Sequence, residues 1–372
     1  MNLVIHDMSP EEWSKISPSY AGCTVISDSG NIRPCVGCFT CWTKTPGRCV
    51  IRDGYDRMGH LIHEADEVIV ISRYTYGGFS GFVKNVFDRC LGYVHPYFEV
   101  TGGETHHKRL YDEDKQFTFI FRGCALSEEN RANARRYVTA VCSNIRGHVK
   151  EVAFWEAEDR PAAKPAAPCR PDGKSVLLNG SMRHTSGNSA ILSRELAKRL
   201  HPVPETIALQ KYAGCLPKLF AQLEEASDIV LCVPLYVDGL PSQVIRFMEE
   251  AARAGLGASK RIYVLANMGL YESRQLASLF TAVREWCGEM GFVYGGGLGV
   301  SAGELIGVLM QHTPFGTGPT RRIAAGMARL ADAINRSLPI EDIYTEPFLF
   351  PRFLYIFIAN HSWKISHGDR NP

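Results

Sequence analysis

Four cysteines, Cys35, Cys38, Cys41 and Cys49, fall within fifteen residues at the spacing C-x2-C-x2-C-x7-C. Such a loop can wrap a four-iron cluster, because each iron of the cube takes one cysteine sulfur. It can also present free or redox-active thiols on a turn shaped by Pro46 and Gly47, or take zinc, although structural zinc usually joins two separated pairs. A second stretch with chemistry in it is 180-GSMRHTSGN-188, between the apolar run 176-VLLN-179 and an amphipathic pattern. Backbone N–H groups at a helix start, the hydroxyls of Ser181, Thr185 and Ser186, and the Arg183 guanidinium together suit a dianionic phosphate. The plainer alternative is an ordinary capped turn, since Ser and Asn favour helix starts in any case.

The elements that must position these loops repeat. Strand-length β-branched runs alternate with longer helical stretches on both sides of a Pro/Ala-rich linker, residues 159–174. The expected strands are 3–7, 23–28, 67–73, 116–121 and 149–155 in the first half. In the second they are 175–181, 205–210, 228–234, 261–267 and 292–300. Helices are expected over 54–65, 80–93 and 127–146, and over 188–200, 215–226, 241–254, 272–290 and 319–336. Alternation of this kind predicts parallel sheets with helices on both faces. The halves align at an offset of 161 residues: Ala65 meets Ala226, Gly78 meets Gly239, and Val83 meets Val244. We read this as an internal duplication, with domains at 1–158 and 175–337 and a C-terminal packing tail at 338–372.

The loop 180-GSMRHTSGNSA-190 is similar to the G-S-x-R-x-x-S-x-N phosphate loop of flavodoxin-like NAD(P)H-dependent FMN reductases. The stretches 234-PLYVDGLPSQVIRFMEE-250 and 267-NMGLYE-272 resemble that family's two loops beside the flavin ring. The cysteine stretch with the following V-I-x-D resembles iron-sulfur flavoproteins, and equally the wider set of flavodoxin-family oxidoreductases. The resemblance implies two flavodoxin-like, doubly wound α/β domains in tandem, each with strand order 2-1-3-4-5. It implies FMN held at its phosphate by Ser181, Arg183, Ser186 and Asn188, and at its ring by Pro234, Tyr236, Gly239, Asn267 and Tyr271. NAD(P)H would be the co-substrate, and Cys35, Cys38, Cys41 and Cys49 would hold the iron-sulfur cluster if there is one. The flavin would do the redox chemistry, so no general acid or base is named. Singly, a loop tyrosine such as Tyr236 or Tyr271 is as readily a packing residue.

The first half departs from the pattern, because its first strand runs into 7-DMSPEEWSKISPSYAG-22, where Asp and Glu would repel a phosphate. It keeps 73-RYTYGGFSGFVKNVFDR-89, whose Tyr76 and Gly77 are flavin-side candidates. The expectation is a division of labour in an intrachain pseudo-dimer, the second half binding FMN and the first presenting its tyrosine loop and cysteines. Two other outcomes stay open: a pure electron carrier, and a flavin-binding module whose chemistry has decayed.

Composition sets the outer bounds. The chain has 372 residues, 45% hydrophobic and 22% charged, with a formal net charge of +2, which points away from a nucleic-acid surface. No export signal is evident, and twelve cysteines then suggest reduced thiols in a cytoplasm rather than a disulfide framework. The apolar stretch 347–363 is broken by Pro351 and Arg352 and falls short of the roughly 20 residues of a membrane span. The expected partners are a small-molecule or protein redox partner, with oligomers allowed. Cys23, Cys90, Cys124, Cys142, Cys215, Cys232 and Cys287 read as core residues. His106 and His107 read as part of a surface loop, 101–115. The glycine run at 295–299 reads as a tight turn or close packing after the fifth strand.

Overall fold

The computed structural model describes residues 1–158, 164–166, 173–183, 187–257 and 259–367. They form two compact units, Met1–Pro161 with Ala359–Pro372, and Ala162–Ile358. Most of the Pro/Ala stretch at 159–174 lies outside the described residues.

The first unit carries β1 (Leu3–His6), β2 (Thr24–Ser27), β3 (Glu67–Arg73), β4 (Val94–Thr101), β5 (Glu104–Arg109), β6 (Gln116–Cys124) and β7 (His148–Glu158). Its main sheet runs β2-β1-β3-β6-β7, every neighbour parallel. With the β4–β5 hairpin set aside, this is the expected order 2-1-3-4-5. Val68, Val70, Ile71, Phe117, Phe119 and Phe121 are buried, as the apolar runs of a sheet covered on both faces require. The helices Met58–Glu64, Gly81–Asp88 and Glu128–Asn144 fall where the sequence places them, the last two N-capped by Ser80 and Ser127.

The hairpin corrects the reading of 101–115 as a surface loop. Gly102 and Gly103 both take positive φ, 61° and 90°, which gives the two-residue turn whose twist matches paired strands. Glu99 and Val100 then pair with His106 and Thr105, and His106 is buried. The Gly-Gly pair between β-branched residues was the available signal.

The second unit carries β8 (Lys174–Asn179), β9 (Glu205–Ala208), β10 (Ala226–Pro234), β11 (Arg261–Asn267), β12 (Val293–Val300) and β13 (Ile343–Thr345). Its sheet runs β9-β8-β10-β11-β12-β13, all parallel, which is 2-1-3-4-5 with a sixth strand added. That strand comes from the segment expected only to pack as a tail. Two helices were also unforeseen, Gly303–His312 and Arg352–His367. The glycine run lies inside β12, and close packing explains it. A Cβ on Gly295 would stand 2.6 Å from the Tyr263 ring, and one on Gly299 would stand 2.9 Å from Leu276.

Both units are therefore flavodoxin-like, doubly wound α/β sheets. No described helix is long and apolar enough to cross a membrane. Cys90, Cys142, Cys232 and Cys287 are core residues as expected, but Cys23 is half-buried and Cys215 is exposed at a helix start. The Cys124 side chain lies outside the description.

Candidate functional site

Strand register makes the two units directly comparable. In the first, Ile71 of β3 pairs with His6 and Ile120; in the second, Cys232 of β10 pairs with Asn179 and Leu265. The residue after the first strand donates its N–H to the same place in each, Asp7 to Ile71 O at 3.3 Å and Gly180 to Cys232 O at 3.0 Å. Asp7 thus stands where the second unit has Gly180, Arg73 where it has Pro234, and Arg122 where it has Asn267.

At the carboxyl end of β8 the second unit builds a cradle. A Cβ on Gly180 would lie 2.6 Å from Val244 Cγ2 and 2.9 Å from Val233 Cγ1, so the turn passes where only glycine fits. The Ser181 N–H donates to Asn179 Oδ1 at 2.9 Å, the Arg183 N–H to Ser181 Oγ at 3.2 Å, and the Gly187 N–H to Arg183 O at 2.9 Å. A Cβ on Gly187 would sit 3.3 Å from Ser181 Oγ. Gly187 is the N-cap of the helix Asn188–Ala197 and has no side chain with which to occupy the helix start. Arg183 is exposed, Asn188 is half-buried, and Ser186, with His184 and Thr185, lies outside the described residues. Asn188 lies against a helix the sequence reading missed: its amide nitrogen and oxygen stand 3.2 Å from where Cβ atoms on Gly303 and Gly307 would be. The Gly-x3-Gly spacing marks that close approach. The same helix brings Glu304 within Coulomb range of Arg183.

The two expected ring loops adjoin this cradle. Tyr236 and Gly239 exchange N–H···O bonds of 3.0 Å across a turn in which Val237 and Asp238 take φ of 39° and 56°. A β-branched residue there is strained, as is common where a loop must hold a fixed shape. The first unit has the same turn, with Thr75 and Gly78 as the exchanging pair and Tyr76 and Gly77 at φ of 48° and 83°. Asn267 holds the loops together rather than facing outward. It is buried, and its Nδ2 donates to Ser189 Oγ at 2.7 Å and to Val233 O at 3.2 Å, while Leu235 N donates to its backbone carbonyl. Pro234 ends β10 beside it. The Tyr271 hydroxyl is taken by Phe350 O at 2.7 Å, so its ring face rather than its hydroxyl is what it can offer. Arg352 pairs with Glu272 at 2.7 Å, and the buried Tyr355 hydroxyl donates to Gly269 O, so the segment after β13 pins the third loop.

The first unit closes the corresponding place with its own charges. Ser9 caps the helix Pro10–Ile16 in a capping box with Glu12. Arg122 Nη1 donates to Glu12 at 2.9 Å, its Nη2 to Asp7 O at 2.9 Å, and its Nε to Asp7 Oδ1 at 3.2 Å. The Ser9 N–H, chief among several donors, holds the Glu12 carboxyl below its usual pKa.

The cysteine loop is the other chemically distinctive part of the first unit. Cys38 is exposed, and Cys35, Cys41 and Cys49 are half-buried. Gly37 and Phe39 take positive φ, and Gly47 N donates to Cys41 O at 3.0 Å. Trp42 is buried and donates Nε1–H to Val94 O at 2.7 Å, and its ring meets Trp363 edge-on at 5.7 Å. The four thiols lie close enough for their charges to interact. Burial foremost pushes the Cys35 thiol up to about 12, against an N–H bond from Gly37, and raises Cys41 as well. Arg89 Nε donates to Cys49 Sγ at 3.1 Å. Among the described residues, no group of three or more His, Cys, Asp or Glu side chains is arranged to hold a metal ion.

No protein-family model matches the chain. A stretch of 67 residues, 18% of the chain, is 40% identical to an iron-sulfur flavoprotein of Archaeoglobus fulgidus. The match spans 30% of that relative's length. Among solved structures, an FMN-dependent NADH-azoreductase from Bacillus anthracis aligns at 14% identity and TM-score 0.34, over 44% of this chain and 99% of its own. A WrbA-like flavodoxin from Agrobacterium tumefaciens aligns at 13% and 0.31, over 44% and 96%. The chain resembles flavodoxin-like flavoproteins in strand order and, over the 67-residue stretch, in sequence.

Proposed function

We propose that the protein is an FMN-dependent oxidoreductase that takes electrons from NAD(P)H and passes them to a small-molecule or protein acceptor in the cytoplasm. The observation that carries this reading is the contrast between the two helix starts. Gly187 and the turn Gly180–Arg183 leave a glycine-lined hollow beside a guanidinium in the second unit, and Ser9 and Glu12 fill the equivalent place in the first. In this reading Ser181, Arg183, Ser186 and Asn188 bind the phosphate at the positive helix end. The Pro234–Gly239 turn and the Tyr271 ring border the isoalloxazine, and Asn267 fixes both loops from behind. Bound FMN supplies one- and two-electron transfer, and the chain positions it and excludes water. Tyr76 and Gly77 keep the shape of a flavin-side turn in a unit whose phosphate place is closed.

Cys35, Cys38, Cys41 and Cys49 are proposed to hold a four-iron cluster. Four interacting sulfurs, two of them accepting N–H bonds, match the donor set of such a group. The cluster would supply one-electron transfer within the same chain. An absorbance spectrum of protein purified without oxygen tests both parts, together with FMN titration and iron and sulfide analysis. Flavin bands with a broad iron-sulfur shoulder are expected; protein that neither retains nor takes up FMN would overturn the proposal. NAD(P)H oxidation with a quinone or free flavin as acceptor separates an enzyme from a pure carrier.

A further inference from the structure

Arg89 directly follows the helix Gly81–Asp88, and its side chain is completely buried. Every guanidinium nitrogen is engaged. Nη1 donates to Arg33 O at 2.8 Å and Asp53 Oδ2 at 2.9 Å, and Nη2 donates to Ile51 O and Asp53 Oδ1, both at 2.9 Å. The fork on Asp53 fixes the plane of the group. Its remaining edge, Nε–H, is thereby held on Cys49 Sγ at 3.1 Å. Of the four sulfurs, Cys49 is the one shown facing a buried cation, whereas Cys35 accepts from the neutral Gly37 N–H.

We propose that Arg89 is a positioning residue that sets the reduction potential of the cysteine-bound cluster through its Nε–H bond to Cys49, with Asp53 as its electrostatic counterweight. This rests on the cluster reading above. One-electron reduction places an extra negative charge on the cluster and its sulfurs, with no bond made or broken. A donor and a positive charge at Cys49 stabilise the reduced form more than the oxidised one, which raises the potential. Asp53 opposes that rise, because its carboxylate cancels part of the guanidinium charge.

The test is a dithionite titration of the full-length protein with dye mediators, followed by its iron-sulfur spectrum, for wild type, Arg89→Lys and Asp53→Asn. Arg89→Lys keeps a charge and loses the fork and the Nε–H; the potential should fall. Asp53→Asn leaves the fork on the Ile51 and Arg33 carbonyls and removes the opposing charge; the potential should rise. Each shift should change the reduced-to-oxidised ratio at fixed potential about tenfold, which is about 59 mV for one electron. A merely structural role would move both variants the same way, or not at all, with iron retained. That result would overturn the assignment and leave the cluster standing. If Arg89→Lys fails to fold or to hold iron, Asp53→Asn decides alone, a rise supporting the proposal and no rise overturning it. Wild-type protein that holds no iron or sulfide after anaerobic reconstitution overturns the cluster reading, and this inference with it.

Discussion

Arg122→Ala should destabilise the first unit and leave FMN binding untouched. Arg122 is 17% exposed and holds Asp7, which is 7% exposed, at 3.1 Å, and Glu12, which is 45% exposed, at 2.9 Å. Removing one partner of a buried pair costs about 3–5 kcal/mol, because the other charge is left unpaired in a poor dielectric. The Glu12 arm is solvated and adds less than about 1 kcal/mol. Asp7 keeps the Arg73 N–H at 2.9 Å, which puts the loss at the low end, about 3 kcal/mol. Urea unfolding followed by tryptophan fluorescence measures it, since Trp13 stacks on His6 beside the network at 4.1 Å. The FMN dissociation constant is measured in parallel by flavin fluorescence quenching. A loss under about 1 kcal/mol would mean that the network is effectively solvated. A weakening of FMN binding by about tenfold, 1.4 kcal/mol, would mean that the first unit holds the flavin phosphate, and the division of labour would be wrong.

At the aligned position of the second unit, Asn267→Ala should do the reverse, weakening FMN binding about tenfold through the lost tie to Ser189. Unchanged affinity would mean that Asn267 does not position the cradle. Arg183→Ala should weaken FMN about tenfold or more and leave riboflavin binding unchanged, because riboflavin lacks the phosphate a charge-assisted bond would reach; an equal loss for both flavins would place Arg183 at the ring. Burial above all lowers the His107 pKa to about 4, and its ring lies 5.0 Å from Trp42. The folded state therefore binds this proton less readily than the unfolded chain, whose value is near 6.5. The resulting stability is present above 6.5 and is lost as pH falls through 4. Acid unfolding of the first unit should begin inside that window, and His107→Phe should flatten it. An identical acid profile for that variant would remove His107 as the cause.

Strand order was legible because buried parallel strands must be continuously apolar, a demand that 67–73 and 228–234 meet in plain view. The sixth strand was not, since Ile343–Thr345 is three residues long and draws its stability from pairing with Leu298–Val300. The helix Gly303–His312 was missed because it starts at Ala302 in a left-handed conformation, without a Ser, Asp or Asn cap. The phosphate loop could be read because glycines and hydroxyls mark it locally. The role of Asn267 could not, since its partner Ser189 lies 78 residues away. Arg89 was equally hidden: a buried arginine looks like a surface one until the carbonyls and the carboxylate around it are known.

The two units share strand order, the turn at Thr75–Gly78 and Tyr236–Gly239, and the hydrogen bond after the first strand. What separates them is the residue type at three aligned places. Gly180, Pro234 and Asn267 are uncharged, so the second unit's cradle has no fixed anion at those places. Asp7, Arg73 and Arg122 form a set that is satisfied internally, two carboxylates and a guanidinium joined to a backbone N–H. Such a set is stable only as a whole, because removing any one member strands a buried partner. A single substitution toward the second unit's residue, such as Asp7→Gly, would leave Arg122 without its buried partner rather than open a cradle. The closed state of the first unit is therefore held by mutual dependence among distant residues. That coupling is also why the acidic stretch after β1, read alone, indicates that a phosphate is excluded but not what stands in its place.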